Sequence, residues 1–67
     1  MDQFTAAAMA WFALRDLPKV TTATQVATIY WQADECSDWL DSDTKAQLWS
    51  AIDAALDRLG IDLCDLY

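Results

Sequence analysis

Asp34, Asp38 and Asp41 follow one another at four- and three-residue spacing, beside Trp31 and Glu35. On a helix that spacing places carboxylates along one flank, about 5 to 6 Å apart. Asp53 and Asp57 repeat the pattern further on, and Asp43 lies between the two groups. Carboxylates so placed have three chemistries open to them: proton transfer, cation binding, or imitation of another polyanion. Proton transfer needs a cleft and a base or nucleophile poised beside the acid. The chain has no histidine and no glycine-rich phosphate loop, and neither Cys36 nor Cys64 has a base beside it in the sequence. A thiol without such activation is a weak nucleophile. An enzyme is not expected.

Cation binding fares no better. A calcium loop of the EF-hand type needs oxygen ligands at alternate positions, a glycine at the sixth and an acid at the twelfth. Counted from Asp41, Asp43 fits, but Lys45 stands at a ligand position and Ala46 at the glycine. A structural zinc site needs four nitrogen or sulfur ligands, more than two cysteines can supply. No metal and no cofactor are expected. The triplet Asp41-Ser42-Asp43 at a helix start resembles the Asp-Ser-Leu of acyl carrier proteins, which carry a prosthetic group on the serine. Here Asp43 replaces the leucine and no glycine-containing loop precedes it, so Ser42 reads as a helix cap.

Imitation of a polyanion remains. Eleven carboxylates, ten of them aspartate, stand against four cations, for a net charge of -7. Such a body repels nucleic acid and anionic membrane and attracts basic protein surfaces. Aspartate holds its charge close to the backbone and gives up less rotamer entropy on docking than glutamate. Carboxylates spaced along a rigid scaffold approach the charge density of a phosphate backbone. The competing reading is a solvated face, since net charge of this size also serves solubility. The scarcity of lysine and arginine on those faces favours binding. The expected partner-binding set is Trp31, Asp34, Glu35, Asp38, Asp41, Asp43, Asp53 and Asp57. In it Trp31 is an exposed anchor that stacks on an arginine paired with Asp34 or Asp38.

The elements that hold these residues are helical. An apolar fraction of 55% rules out disorder, and a single glycine and a single proline leave few hairpin turns. Residues 1–67 are read as one all-α domain, a compact bundle of three helices plus a short C-terminal helical turn. The first helix starts at Asp2 or Thr5 and stops by Leu17, ahead of Pro18. Phe4, Ala7, Ala8, Trp11 and Leu14 are its expected inner face, and its all-round apolarity predicts the most buried element. The second opens at Thr22 with a capping box to Gln25. It carries Val26, Ile29, Tyr30, Ala33, Ser37 and Leu40 inward, with Asp34, Asp38 and Asp41 on one flank. The third begins around Asp41 to Asp43, buries Leu48, Trp49, Ile52, Leu56 and Leu59, and stops at Gly60. Trp11, Leu14, Ile29, Leu48, Ile52 and Leu56 are the expected core. Trp39 is expected beneath the first helix or the tail, and Cys36 and Cys64 as two buried thiols.

In size, acidity and helical content, across the whole chain, the protein resembles the short phage and mobile-element proteins that disable host defence, anti-CRISPR proteins above all. Some of those imitate DNA. The likeness brings no motif, and no residue role is carried over from it. It implies a monomeric inhibitor in the cytoplasm (the host's, for a phage gene) that blocks the basic groove of a nucleic-acid-binding protein such as a CRISPR effector subunit. Direct contact with nucleic acid or membrane is not expected: Phe4 to Leu14 is too short to span a bilayer, and Asp2 stands where a signal peptide would be basic. The alternative is a helical adaptor or assembly module, monomeric or homodimeric, that binds through the apolar surface of the first helix and the tail. An inhibitor working through charge is expected to be monomeric and to bind a basic protein in a steeply salt-dependent way, whereas an adaptor elutes as an oligomer or binds through apolar area with weak salt dependence.

Overall fold

Pro18, Thr22, Asp41 and Gly60 divide the chain as their chemistry demands. The computed structural model describes residues 2–62 and 64. Helix α1 runs Gln3–Asp16, α2 Ala23–Cys36 and α3 Ser42–Leu59, with 3₁₀ turns at Leu17–Lys19 and Ser37–Trp39. No strand occurs among the described residues, and every helix packs on the other two. The Cα radius of gyration is 11.2 Å, close to the ~11 Å of a compact chain of this length. No helix is long and apolar enough to cross a membrane among the described residues. The expected C-terminal helical turn rests on Leu63 and residues 65–67, which lie outside the described residues.

Each helix start is satisfied by a nearby side chain. The Thr5 amide donates to Asp2 Oδ1 at 2.7 Å. The Gln25 amide donates to Thr22 Oγ1 at 3.2 Å, while Gln25 Oε1 accepts from the amides of Thr21 and Thr22 at 2.8 and 3.2 Å. That is the expected capping box, and it occupies donors a helix N-terminus would otherwise leave bare. For α3 the cap is Asp41, whose Oδ2 accepts from the Thr44 amide at 3.4 Å. Ser42, read from sequence as the cap, is instead the first helical residue. At the other end of α3, Gly60 takes φ +68, and the Ile61 amide returns to the Leu56 carbonyl at 2.9 Å. This closure satisfies orphan carbonyls and needs the left-handed residue that glycine supplies.

The core is built from Ala6, Ala10, Ala13 and Leu17 of the first segment, Val20, Val26, Ala27, Ile29, Ala33 and Cys36 of the second, and Leu48, Ile52, Ala55 and Leu56 of α3. Tyr30, Leu40, Trp49, Leu59 and Ile61 are half-buried around it, and Tyr30 and Trp49 meet edge to face with centroids 5.3 Å apart. Ile29, Leu48, Ile52 and Leu56 thus sit where the periodicity puts them, and Leu14 is half-buried.

Three expectations are corrected. The face of α1 is rotated: Trp11 is 60% exposed and Phe4 88% exposed, and α1 is not the most buried helix. Alanines at i, i+4 and i+7 let α1 approach its neighbours closely, and bulky rings at those positions would hold it away. The second correction concerns α2, which ends at Cys36 rather than continuing past Leu40. Ser37 Oγ donates to the Asp34 carbonyl at 3.3 Å and competes for the bonding that would extend the helix. The chain then tightens into a 3₁₀ turn so that Leu40 and Asp41 become extended ahead of α3. Third, both cysteines are free, but only Cys36 is buried; Cys64 is exposed.

Candidate functional site

The end of α2 at Cys36 changes the geometry of the acidic group. Trp31, Asp34 and Glu35 share the outer surface of α2 at i, i+3 and i+4, where side chains are neighbours. Asp38 follows in the 3₁₀ turn, Asp41 caps α3 and Asp43 lies in its first turn. Asp34, Asp38 and Asp41 therefore do not form the single helix flank expected of them. They pass around one end of the bundle, from α2 through the turn to α3. Asp53 and Asp57 stand on the outside of α3, one turn apart. Asp43 and Asp53 are separated by about 15 Å of helix rise at 1.5 Å per residue.

All eight residues of the expected set are exposed, Trp31 to 54%. Among the described residues the sole ion pair is Arg15 Nε to Asp16 Oδ1 at 3.1 Å, so none of the seven site carboxylates pairs with a cation among the described residues. Arg58, the cation nearest in sequence to Asp53 and Asp57, turns away from them: its Nη2 donates to the carbonyls of Leu17 and Val20 at 3.0 and 2.9 Å. The acidity of Asp41 is displaced. Hydrogen bonds from Thr44, side chain and amide, hold its carboxyl below the ordinary 3.8, because they favour the charged form. No group of three or more cysteine, aspartate or glutamate side chains converges to hold a metal among the described residues. A cleft of about 470 Å³ is lined by Asp16, Lys19, Gln25, Thr28 and Gln32 among others and includes none of the eight. Of the eight only Asp41 borders a described cleft, the one of about 240 Å³ beside Trp39; the set displays charge on exposed surface and does not enclose a substrate.

A second surface is the apolar face of the first helix that the adaptor reading named, though its residues are not the ones expected to be exposed. Phe4, Trp11 and Phe12 of α1 are all exposed. Trp11 and Phe12 meet edge to face at 5.1 Å, and the Arg15 guanidinium lies 5.4 and 4.8 Å from their ring centres. Trp39, expected to be covered, does lie against α1, lining a cleft of about 240 Å³ with Gln3, Ala7 and Leu40, yet it stays 47% exposed. The signal for this surface was present in the sequence as the alternative stripe Ala6, Ala10, Ala13 and Leu17, as periodic as the bulkier one.

No protein-family model, no curated protein and no solved structure matches this chain; its residues alone carry the functional argument.

Proposed function

We propose that this protein is a small acidic inhibitor that docks on the basic nucleic-acid-binding surface of a partner protein and blocks DNA or RNA from it, in the manner of anti-CRISPR proteins that imitate DNA. The observation that carries this reading is the absence of internal neutralisation: seven exposed carboxylates have no ion pair among the described residues. A chain needing only solubility mixes charge signs on its faces. Here α2 contains no lysine or arginine at all. Trp31 adds an exposed ring beside Asp34 and Glu35, in reach of a partner arginine that pairs with either carboxylate. Because the carboxylates wrap one end of the bundle, the partner groove meets that end, with Asp53 and Asp57 a more distant contact along α3.

The test is binding to purified nucleic-acid-binding proteins with basic grooves, CRISPR effector subunits among them, with duplex DNA as competitor. Asp34→Asn, Asp38→Asn and Asp41→Asn combined should keep the helical circular dichroism, since asparagine caps a helix nearly as well as aspartate. The same variant should lose most binding, because each missing carboxylate strands a partner cation. Raising salt from about 50 to 200 mM should loosen the wild-type complex steeply. A folded triple variant that inhibits as well as wild type sinks the proposal.

A further inference from the structure

The outer face of α1 differs from the rest of the molecule in charge. Residues 3–15 contain no carboxylate, although the chain holds eleven, and their one charged side chain is Arg15. Phe4, Ala8 and Phe12 follow at intervals of four, with Trp11 beside them, so they share one surface stripe. Ala7 lies between Phe4 and Trp11 and joins the stripe to Trp39 across a shared cleft that Asp41 also lines. An exposed ring presents up to about 150 to 250 Å², so at their fractional exposures the four rings offer roughly 500 Å² per copy. Doubling that gives about 1,000 Å², the size at which a specific interface begins.

We infer that this face is a self-association surface, on which a second copy of the chain packs its own α1 antiparallel about a two-fold axis near Ala8. The charge distribution selects this occupant. A copy approaching over the outer faces of α2 or α3 meets like charge, whereas over α1 it meets rings, with Arg15 paired to Asp16 at one end and Asp41 at the rim beside Trp39. The spacing is self-complementary, as a two-fold interface requires. Ala8 faces Ala8, where a small side chain allows close helix approach, and Phe4 of each copy faces Phe12 of the other. Asp41 borders the interface beside Trp39, while Trp31, Asp34 and Glu35 on α2 and Asp53 and Asp57 on α3 lie on other helices, so such a dimer still displays two acidic surfaces. Self-association and docking through charge are then compatible, and oligomeric state alone does not choose between an inhibitor and an adaptor.

Light scattering and sedimentation across a concentration series test this. Wild type should approach twice its 7.5 kDa at high concentration and dissociate on dilution. Phe4→Ser with Trp11→Ser should raise the dissociation constant roughly a hundredfold or more, since each ring counts twice in a two-fold interface, while helical content is kept. In a Cys64→Ser background, Ala8→Cys should oxidise readily to a covalent dimer, whereas Ser50→Cys on the outside of α3 should not. A wild-type mass of 7.5 kDa throughout overturns the inference, as does equal cross-linking at Ala8→Cys and Ser50→Cys. It also fails if the double serine variant melts far below wild type at concentrations where both are monomers, because the rings would then be covered within one chain. None of these readouts depends on the acidic surface or its partner.

Discussion

Arg58 Nη2 donates to the Val20 carbonyl oxygen at 2.9 Å and so ties the last turn of α3 to the link between α1 and α2. The same nitrogen reaches the Leu17 carbonyl at 3.0 Å. Carbonyls at the end of a helix lack intrahelical partners and carry the negative end of its dipole. The Leu17 carbonyl also accepts from the Val20 amide at 3.4 Å, so one cation in the last turn of α3 braces the turn that follows α1. Arg58 spends its charge on structure, which leaves Asp53 and Asp57 without their closest counter-ion in sequence.

Replacing Arg58 by methionine keeps the aliphatic stem and removes both bonds. Hydrogen bonds to a charged group contribute about 1.5 to 3 kcal/mol, so a loss of roughly 2 to 3 kcal/mol is expected. In a domain this small that lowers Tm by about 10 °C or more. Thermal melting checks it, and a shift under about 3 °C would show that water replaces the guanidinium.

Leu48 and Trp11 should behave oppositely although both are large and apolar. Leu48 is fully buried, and its truncation to alanine should cost about 2 to 5 kcal/mol, as should Leu56→Ala. Trp11→Ala on an exposed surface should change stability by no more than about 0.5 to 1 kcal/mol. Denaturation of the monomer by urea distinguishes the two. A Trp11→Ala loss as large as that of Leu48→Ala would restore the face of α1 expected from sequence.

Asp2 and Asp41 make the fold sensitive to acid at two helix starts. The Thr5 amide and side chain hold the Asp2 carboxyl below 3.8, as Thr44 does for Asp41. An acid with a lower folded than unfolded pKa adds stability that is present above the unfolded value and disappears as pH falls through the folded one. Melting temperature should therefore drop as pH falls below about 3.8. Asp2→Asn with Asp41→Asn should flatten that slope while keeping the caps. If the slope is unchanged, other carboxylates dominate the acid transition.

Cys36 responds to the opposite extreme. Burial, with a weaker push from Glu35, raises its thiol above the ordinary 9.0. The native state retains the proton where the unfolded chain loses it. The stability this contributes is complete below pH 9.0 and is lost as pH rises through the folded value. Cys36→Ala should reduce the alkaline fall in Tm. With a thiol reagent at neutral pH, Cys64 should react at once and Cys36 only as the fold opens. Equal rates would place Cys36 at the surface.

Much of the fold was legible in the sequence because its punctuation is local. Thr22 with Gln25 and Gly60 with Ile61 complete their hydrogen bonds within three to five residues, so the segment alone specifies them; the start of α3 was legible only to within Asp41–Asp43, and its cap is Asp41, not Ser42. The inner stripes of α2 and α3 were legible too, since polar residues fill the rest of each helix and leave one apolar face. What tertiary structure decided begins with α1. Apolar residues surround that helix, and only the closeness of packing, which favours Ala6, Ala10 and Ala13 over Phe4 and Trp11, set its rotation. Tertiary structure also ended α2 at Cys36, where no glycine or proline marks a stop, because Leu40 must turn inward and Asp41 must be extended to cap α3. That turn carried Asp38, Asp41 and Asp43 around the end of the bundle. The identity of the acidic residues is a property of the chain, and their arrangement in space is a property of how three helices close on a small core.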